Sequence, residues 1–561
     1  YMKEWAVVRG MPWHVTLDGE TYADARESFA WDFPDDYNIA RDCLRKHEET
    51  DRPALLQAFP DGRRETYTFD DLDAQSNQVA HAFDARGVGR GDRVAVVVPQ
   101  KPANPLTHLA CWKLGAISLP LSVLFGPDAL RYRLRDSGAR VVVADVSMLD
   151  TIEEIRADCP ELEHVVAVDA DDPGERVDRF AELRRGQPTD HAIADTDETT
   201  PAIIMYTSGS TGPPKGVLHG HGVWAGHCPA FSMYFERDVA DGVLWTPADW
   251  AWIGALGDLV FPAWHYGRPV VGYPMGGFDA ETAFELCEEF GVTHTFLPPT
   301  AIRMMMGVED PTDEYDLSVR AICSGGEPLT PEILDWADEE LSGVAVNELY
   351  GQTEANLLVT NCREWFPAQA GSMGKPVPGH DVAIVDQETG ERLPDDEEGM
   401  IAVRHGEDPL IFQEYWNEPE KTASARVEAA DGGTDWHLTE DLGYRDDDGY
   451  FWFKARDDDV IITSGYRVGP GEVESAILEH PDVAQVGVVG LPDETRGEII
   501  AAFVQPIEGV TGDDRLRDAI RDLVSEQLAK YEYPREIAFV EELPTTTTGK
   551  IQRRKLRERD I

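Results

Sequence analysis

The sequence predicts an α/β protein with a large N-terminal domain and a small C-terminal domain. Between Thr66 and Leu349, apolar runs alternate with amphipathic segments of helical period, which is typical of parallel-type sheets flanked by helices. Beyond Leu349 the apolar runs shorten and lie between turn residues, which indicates a small β-rich subdomain. Past Arg456 the pattern becomes that of a compact α+β unit of about a hundred residues. We therefore predict domains at 1–456 and 457–561.

The elements follow in order along the chain. Residues 1–65 mix aromatic and acidic side chains without clear periodicity and are expected to wrap the surface of the first domain. After them, segments of helical period predict helices and short apolar runs predict buried strands. The predicted helices cover 69–83, 105–114, 127–137, 281–290, 331–341, 471–479 and 514–528; the predicted strands cover 94–98, 116–119, 140–144, 202–205, 293–297, 321–323, 344–349, 382–386, 399–404, 449–453, 460–463, 484–490, 498–504 and 536–540.

The composition is strongly acidic. Among 561 residues, 105 Asp and Glu stand against 50 Lys and Arg, a formal net charge of −55, and only eleven residues are lysine. Such a charge disfavours nucleic acid and anionic membranes as partners. At about 1 M salt the Debye length falls to roughly 3 Å, so the self-repulsion of this surface would be screened. We therefore expect a salt-rich cytoplasm, as in halophilic microbes; full folding and activity in dilute buffer would contradict this, and an ordinary acidic protein is the alternative.

Other features of the composition indicate a cytoplasmic protein. No apolar run approaches eighteen residues, and the N-terminus lacks the basic-then-apolar pattern of a signal peptide. The seven cysteines are scattered without a Cys-x-x-Cys pair, which argues against a zinc site or a disulfide framework. The sequence leaves open whether the protein forms a homo-oligomer.

The stretch Tyr-Thr-Ser-Gly-Ser-Thr-Gly-Pro-Pro-Lys-Gly at 206–216 predicts a phosphate-binding loop after a buried strand. Its glycines let backbone N–H groups approach a phosphate, its hydroxyls add donors, and its lysine adds a mobile positive charge. It is not a Walker A motif, because Pro214 precedes the lysine and Gly216 follows it. A flexible Ser/Gly linker, the alternative, explains neither the lysine nor the preceding strand. The candidates are Thr207, Ser208, Gly209, Ser210, Thr211, Gly212 and Lys215.

Three further motifs follow in order: Tyr-Gly-Gln-Thr-Glu at 350–354, Thr-Glu-Asp at 439–441 and Pro-Thr-Thr-Thr-Thr-Gly-Lys at 544–550. Together with 206–216, this set resembles the motifs of the adenylate-forming superfamily of acyl-CoA synthetases, carrier-protein-loading adenylation domains and luciferases. The resemblance covers nearly the whole chain. It implies that ATP and a carboxylic acid form acyl-AMP and pyrophosphate, and that CoA then accepts the acyl group. ATP, Mg²⁺ and CoA are the cofactors it implies, and the small domain is expected to be mobile.

The chemistry needs cations, because a carboxylate must attack a negatively charged phosphate. Glu354 is predicted to bind Mg²⁺, a cation that often uses only one or two protein carboxylates; a solvated surface glutamate is the alternative. Lys550 resembles the family lysine that holds the carboxylate and α-phosphate oxygens during adenylation. Thr353 and Arg467 complete the catalytic candidates.

Other residues resemble nucleotide contacts of the family. The segment Ser-Gly-Gly-Glu-Pro at 324–328 resembles the one against which adenine lies, with a plain turn as the alternative. Asp441 resembles the aspartate that accepts the ribose hydroxyls, although Glu440 stands where many members have glycine. The candidates outside the phosphate-binding loop are Gly326, Glu327, Pro328, Glu348, Leu349, Tyr350, Gly351, Gln352, Asp441 and Arg456.

The resemblance also implies a rotation of the small domain after adenylation. Asp458 matches the hinge position of relatives. Arg496 matches a position that contacts the CoA phosphate in medium-chain relatives, with an ordinary ion pair as the alternative. The strand that resembles the thiol channel of relatives carries Ser464, Gly465, Tyr466 and Arg467.

The identity of the acid depends on the acyl pocket. Members devoted to acetate carry tryptophan where this chain has Gly351, so glycine predicts room for a longer or aromatic chain. Trp252 and Gly325 are the other pocket candidates, whereas His219 is expected to pack or to form part of the substrate wall. Residues 454–474 most resemble medium-chain acyl-CoA synthetases, so we predict a medium-chain, branched or aromatic acid. The alternatives are an enzyme that loads a carrier protein in trans and a non-catalytic nucleotide-binding protein.

Overall fold

The structure is a computed structural model that describes residues 13–47, 51–174, 176–207, 213–326, 329–405, 408, 411–457, 459–463, 466–493, 496–507, 509–528, 532–545 and 551–559. The chain divides into two compact units, each with its own core. The larger unit comprises Tyr1–Val382, Val403–Arg426 and Gly433–His437. The smaller unit comprises Ala383–Ala402, Val427–Gly432 and Leu438–Ile561. No helix within the described ranges is long and apolar enough to cross a membrane.

One sheet of the larger unit carries the Tyr-Gly-Gln-Thr-Glu motif. Its strand Ala321–Gly325 pairs parallel with His294–Phe296 on one side and with Ala345–Gln352 on the other. Ala345–Gln352 then turns back into the antiparallel strand Asn356–Thr360. In spatial order the strands are Ser372–Pro376, Asn356–Thr360, Ala345–Gln352, Ala321–Gly325, His294–Phe296, Leu244–Trp245, Val270–Gly272, Pro53–Ala58 and Arg64–Thr68.

A second sheet of the larger unit carries the ends of the phosphate-binding loop. Pro201–Thr207 and Lys215–Gly220 pair antiparallel, with Thr207 opposite Lys215. The central strands Arg93–Val97 and Val141–Asp145 run parallel and are largely buried, as their continuous apolar runs predict. In spatial order the strands are Glu414–Tyr415, Lys215–Gly220, Pro201–Thr207, Ile117–Pro120, Arg93–Val97, Val141–Asp145, His164–Val168 and Val177–Arg179.

The helices of the larger unit begin and end at residues suited to these positions. Thr68 starts Phe69–Asp84 with a reciprocal capping box to Asp71. Gly115 and Gly138 end the next two helices in the left-handed conformation that glycine adopts readily. The α-helices are Tyr22–Ser28, Ile39–Cys43, Phe69–Asp84, Ala103–Leu114, Pro127–Ser137, Leu149–Ile155, Phe180–Arg184, Val223–Tyr234, Ile253–Ala255, Phe261–His265, Ala280–Phe290, Pro299–Met305, Pro311–Glu314, Pro331–Glu340 and Pro419–Ser424; Leu256–Val260 is a π-helix, and Arg45–His47, Val146–Met148 and Arg156–Asp158 are 3₁₀ turns.

The smaller unit contains a β-rich part followed by an α+β part. The β-rich part is built around the antiparallel pair Trp436–Arg445 and Phe451–Arg456. In the α+β part, Gly497–Pro506 pairs antiparallel with Val483–Asp493 and parallel with Glu536–Phe539, and apolar residues of the helices Pro470–Leu478 and Asp514–Gln527 pack in its core. The remaining elements of this unit are Ile461–Thr463, Tyr466–Val468 and the helix Arg553–Arg557. The strands Val382–Val385, Gly399–Arg404 and Arg426–Val427 have residues in both units.

The structure confirms the predicted α/β class and most of the predicted elements. The helix predicted at 69–83 is Phe69–Asp84, and the strand predicted at 344–349 extends to Gln352. The expectation that the first 65 residues only wrap the surface is wrong, because Pro53–Ala58 is a strand that pairs parallel with Val270–Gly272. The domain boundary at 457 stays a prediction.

Candidate active site

Two of the predicted site residues of the larger unit, Lys215 and Glu354, lie next to the same tyrosine, Tyr415. The Tyr415 hydroxyl donates to Glu354 Oε1 at 2.9 Å, and the Lys215 Nζ lies 4.8 Å from the centroid of the Tyr415 ring. The Tyr415 side chain is therefore in contact with the predicted metal carboxylate and lies beside the predicted phosphate-binding cation. A carboxylate and an ammonium group that lie next to the same side chain can bind a cation and a phosphate in one site.

Two buried histidines hold the backbone and side chain before Glu354. His219 Nε2 lies 2.6 Å from the Thr353 carbonyl oxygen, and burial lowers the pKa of His219 to about 4. His437 Nε2 lies 2.9 Å from Gln352 Oε1, and burial lowers the pKa of His437 to about 3. Both rings are neutral at pH 7, so each donates one N–H to an oxygen of the motif. His219 thus supports the backbone of the motif, and His437 holds the side chain of Gln352.

Close packing explains two glycines that were predicted to line the acyl pocket. A Cβ on Gly325 would lie 2.8 Å from the carbonyl oxygen of Leu349, its partner on the next strand. A Cβ on Gly351 would lie 2.8 Å from the Leu357 Cα and closer still to the Asn356 carbonyl oxygen. The hairpin backbone therefore requires glycine at 351 whatever the substrate. The argument that Gly351 leaves room for a long acyl chain is corrected: in this structure a side chain there would point into the hairpin.

Glu348 is a buried carboxylate two residues before the motif tyrosine. Its Oε2 accepts the Leu329 N–H at 3.2 Å, and the side chain is almost fully buried beside the end of Ala321–Gly325. Burial raises the pKa of Glu348 from 4.5 to about 8, and the Leu329 N–H opposes this shift only in part. Glu348 is therefore mostly protonated at neutral pH and can act as a hydrogen-bond donor.

Glu348→Gln is expected to remove one source of pH-dependent stability. In the folded protein Glu348 keeps its proton up to about pH 8, whereas the unfolded chain loses it above its ordinary value of 4.5. As the pH rises between these values, this group lowers the free energy of unfolding of the wild type by about 1.4 kcal/mol per pH unit, and the decrease ends above the folded-state pKa. The midpoint of thermal unfolding of the variant, measured relative to that of the wild type, should therefore rise by a few degrees between about pH 5 and 8.

The control is Glu332→Gln, which alters an exposed glutamate on the helix Pro331–Glu340. Glu332 lies in the first turn of that helix, so its loss should lower the midpoint slightly, by an amount that stays nearly constant between about pH 5 and 8. Parallel curves for Glu348→Gln and the wild type would show that Glu348 is ionised in the folded protein at neutral pH.

The tryptophan-rich segment divides between the core and a more exposed position. Trp245 and Trp250 are fully buried, as expected of core residues. Trp252 is half-buried and packs edge-on against Phe125, with ring centroids 5.7 Å apart. Next to Trp252, the π-helix Leu256–Val260 carries Asp258, whose Oδ1 lies 3.1 Å from His227 Nδ1 in the buried interior. Sequence reasoning did not identify this buried polar pair.

The predicted ribose residues of the smaller unit lie on paired strands. Asp441 and Arg456 are register partners, and Arg456 Nε lies 3.4 Å from Asp441 Oδ1. A second arginine nitrogen, NH2, donates to Glu440 Oε2 at 2.9 Å. Glu440 itself has φ +62°, the left-handed region that favours glycine. The backbone at 440 thus has the conformation that a glycine would adopt without strain, and Asp441 is positioned by an arginine.

Several predicted residues lie outside the described parts of the chain or are described only by their backbone. Arg467 and Tyr466 belong to the strand Tyr466–Val468, which pairs with Ile461–Thr463. The Arg496 backbone N–H donates to Asp493 Oδ1 at 2.8 Å, and its guanidinium lies 3.8 Å from the same oxygen, so the ion-pair alternative is present. The predictions outside the described residues are Ser208, Gly209, Ser210, Thr211, Gly212, Glu327, Pro328, Asp458, Ser464, Gly465 and Lys550.

The chain on either side of the predicted catalytic lysine is firmly held. Thr545 and Ile551 form an antiparallel bridge, and the Gln552 N–H donates to the Pro544 carbonyl at 2.7 Å. Arg553 forms ion pairs with Glu474 at 2.6 Å and with Asp459 at 3.4 Å. The described residues 551–553 are therefore held in place by backbone pairing and by ion pairs.

Sequence reasoning missed Tyr415 and His437 as site residues. Tyr415 lies on a strand of two residues, Glu414–Tyr415, which is too short for any periodic signal. Its site role depends on pairing with Lys215–Gly220, about two hundred residues earlier in the chain. The available signal was the group of aromatic residues Phe412, Tyr415 and Trp416, and this signal does not identify a partner.

Comparison with known proteins identifies the family. The model of the AMP-binding enzyme family matches residues 44–416, and that of the AMP-binding enzyme C-terminal domain matches residues 472–550. The chain is 33% identical over 552 residues to the mitochondrial acyl-coenzyme A synthetase ACSM3 of Rattus norvegicus, covering 96% of this chain and 93% of the relative. It is 37% identical over 531 residues to the acetyl-coenzyme A synthetase of Bacillus subtilis (strain 168), covering 93% and 90%.

A solved structure agrees with this assignment. The anthranilate CoA ligase AuaEII, crystallised in complex with anthranoyl-AMP, matches with a TM-score of 0.82 and 30% identity over 94% of this chain and 97% of that chain. The chain belongs to the AMP-binding enzyme family.

Proposed function

We propose that this protein activates a carboxylic acid with ATP, releasing pyrophosphate, and transfers the acyl group from acyl-AMP to CoA. Family membership over both parts of the chain and the CoA ligases among its relatives support this assignment. The structural observation that supports it most directly is that Lys215 and Glu354 both lie next to the Tyr415 side chain. The enzyme is an AMP-forming acid–CoA ligase with ATP and CoA as co-substrates.

The adenylation centre that we propose is an electrostatic template. Glu354 is a hard oxygen donor of the kind that Mg²⁺ prefers, and the residue is 9% exposed, so it fits one carboxylate of a magnesium site. Bound Mg²⁺ would neutralise phosphate charge during transfer. Lys215 and the hydroxyls of the phosphate-binding loop would hold the leaving phosphates, and Lys550 would hold the attacking carboxylate and the α-phosphate. These groups lower the barrier by placing positive charge where negative charge develops.

The smaller unit would bind the ribose and, after adenylation, the thiol. Asp441 offers a carboxylate for two ribose hydroxyls, and its ion pair with Arg456 orients that carboxylate. Rotation about Asp458 would then withdraw Lys550 and bring Ser464, Gly465, Tyr466 and Arg467 into place for CoA. Arg496 would contact the CoA phosphate by exchanging its pair with Asp493. Thr353 would support phosphate binding beside Glu354.

For the acid we propose a medium-chain, branched or aromatic carboxylate. This rests on the resemblance of residues 454–474 to medium-chain synthetases and on the half-buried Trp252 beside Phe125, a pair of rings that can form the wall of an apolar pocket. Gly351 no longer contributes to the argument, because the hairpin backbone accounts for it. The salt-rich cytoplasm is the setting that we propose, on the evidence of the net charge of −55.

The acid is tested by comparing kcat/KM for a panel from acetate to octanoate together with benzoate, in high-KCl buffer with ATP, Mg²⁺ and CoA. We expect the highest value for an acid of four or more carbons or for benzoate, since each buried methylene adds about 0.8 kcal/mol of binding. A maximum at acetate would overturn the proposed acid class and leave the ligase assignment intact. Adenylation without transfer to CoA would favour a carrier protein as the acceptor.

A further inference from the structure

We propose that Tyr415 is a positioning residue of the adenylation centre. Its hydroxyl orients the Glu354 carboxylate, and its ring holds the Lys215 ammonium group in place. The inference rests on the proposed function, which assigns Glu354 to Mg²⁺ and Lys215 to the ATP phosphates. The observed contacts are the hydroxyl–Oε1 hydrogen bond of 2.9 Å and the Nζ–centroid distance of 4.8 Å. One buried side chain thus contacts both charged groups, and no resemblance assigned it a role.

The backbone fixes Tyr415 relative to both of its partners. Tyr415 and Val217 are register partners, and the Trp416 N–H donates to the Gly216 carbonyl at 2.7 Å, so the tyrosine is tied to the strand that begins at Lys215. On the other side, the Phe412 N–H donates to the Glu354 carbonyl at 2.8 Å. The segment 412–416 therefore joins the metal carboxylate to the phosphate-binding strand.

The side chain has little freedom to leave this position. It is 4% exposed, and its ring packs against Phe412 with centroids 4.8 Å apart. The backbone N–H of Tyr415 donates to the Thr422 hydroxyl at 2.9 Å, which anchors the residue to the following helix. A hydrogen bond from a rigid donor fixes the plane of the accepting carboxylate before any cation arrives.

Loss of the Tyr415 hydroxyl and loss of its ring should have different effects on the enzyme. The hydroxyl contacts the carboxylate, so its loss should affect the response to Mg²⁺; partners of metal ligands typically contribute about 10–100-fold in metal affinity or activity. The ring faces Lys215, and its loss should weaken the binding of ATP phosphates even at saturating Mg²⁺. A tyrosine that only fills space would affect the thermal midpoint without separating these two effects.

The test compares Tyr415→Phe and Tyr415→Leu with the wild type. For Tyr415→Phe, we expect the half-saturating Mg²⁺ concentration in pyrophosphate release to rise about 10–100-fold, with KM for ATP at saturating Mg²⁺ close to that of the wild type. For Tyr415→Leu, KM for ATP should rise as well. Titration calorimetry with α,β-methylene-ATP at several Mg²⁺ concentrations should show the same separation in binding, without any reaction.

The controls separate this inference from folding and from the proposed function. Tyr67→Phe removes another tyrosine hydroxyl that donates to a carboxylate, Glu65 Oε2 at 2.6 Å, and should leave the Mg²⁺ response unchanged. Thioester formation from preformed acyl-AMP and CoA reports that each variant is folded, because that step needs neither Mg²⁺-ATP nor its carboxylate. An unchanged Mg²⁺ response in Tyr415→Phe, or equal losses in both half-reactions, overturns the role of Tyr415. Failure of the wild type to release pyrophosphate with any acid overturns the proposed function instead.

Discussion

Lys550→Ala is expected to slow adenylate formation by about 10²–10³-fold, the cost of removing one positioned donor from a developing charge. Conversion of preformed acyl-AMP and CoA to the thioester should proceed near the wild-type rate, because the rotation that we propose would withdraw the lysine for that step. Of the residues described near position 550, those that follow it are held on the core of the smaller unit. Ile551 lies next to Gly487 and packs against the apolar cluster that contains Leu556, and Arg553 is paired with Glu474 and Asp459.

The two half-reactions are measured separately, by single-turnover pyrophosphate release and by thioester formation from synthetic acyl-AMP. Lys555→Ala is the control, since Lys555 is an exposed lysine on the helix that follows. It should match the wild type in both assays. Equal losses in both half-reactions for Lys550→Ala would show that the lysine has no specific role in adenylation.

Glu354→Gln is expected to reduce pyrophosphate release by about 10²–10³-fold and to raise the Mg²⁺ concentration needed for half of the remaining rate. The substitution keeps the shape of the side chain, and its amide oxygen can still accept the Tyr415 hydroxyl. What it removes is the negative charge that a hard divalent cation needs. The measurement is the Mg²⁺ dependence of pyrophosphate release at saturating ATP and acid.

Glu414→Gln is the matched control for this variant. Glu414 is exposed, lies on the same short strand as Tyr415 and carries the same charge. Its Mg²⁺ dependence should equal that of the wild type. If Glu354→Gln has the same Mg²⁺ dependence as the wild type, Glu354 does not bind the metal and another group must do so.

The fold class was predictable because its main signals are local. The buried strand Val141–Asp145 opens with four apolar residues in a row, and the helix Phe69–Asp84 begins at a capping box that can be read from Thr68 and Asp71. The strand Pro53–Ala58 was missed because it opens with proline, and because its parallel partner Val270–Gly272 lies more than two hundred residues away. Pairing over that distance leaves no periodic mark in the sequence.

The candidate site was predictable where it is a contiguous motif. Lys215 and Glu354 stand in motifs, whereas Tyr415 acts through contacts made only when three separate segments pack together. Glu440 illustrates the opposite case: the resemblance implies glycine at this position, and the structure shows that Glu440 has the left-handed conformation that favours glycine. Gly351 shows how one residue can satisfy a structural demand and be mistaken for a measure of pocket size.

The most direct test of the central claim is pyrophosphate release in high-KCl buffer with ATP, Mg²⁺ and the acid panel, each acid with and without CoA. We expect release that depends on the acid and turns over repeatedly only when CoA is present, with AMP and an acyl thioester as products. Absence of release with every acid, or release that yields ADP instead of AMP, would contradict the assignment as an AMP-forming acid–CoA ligase.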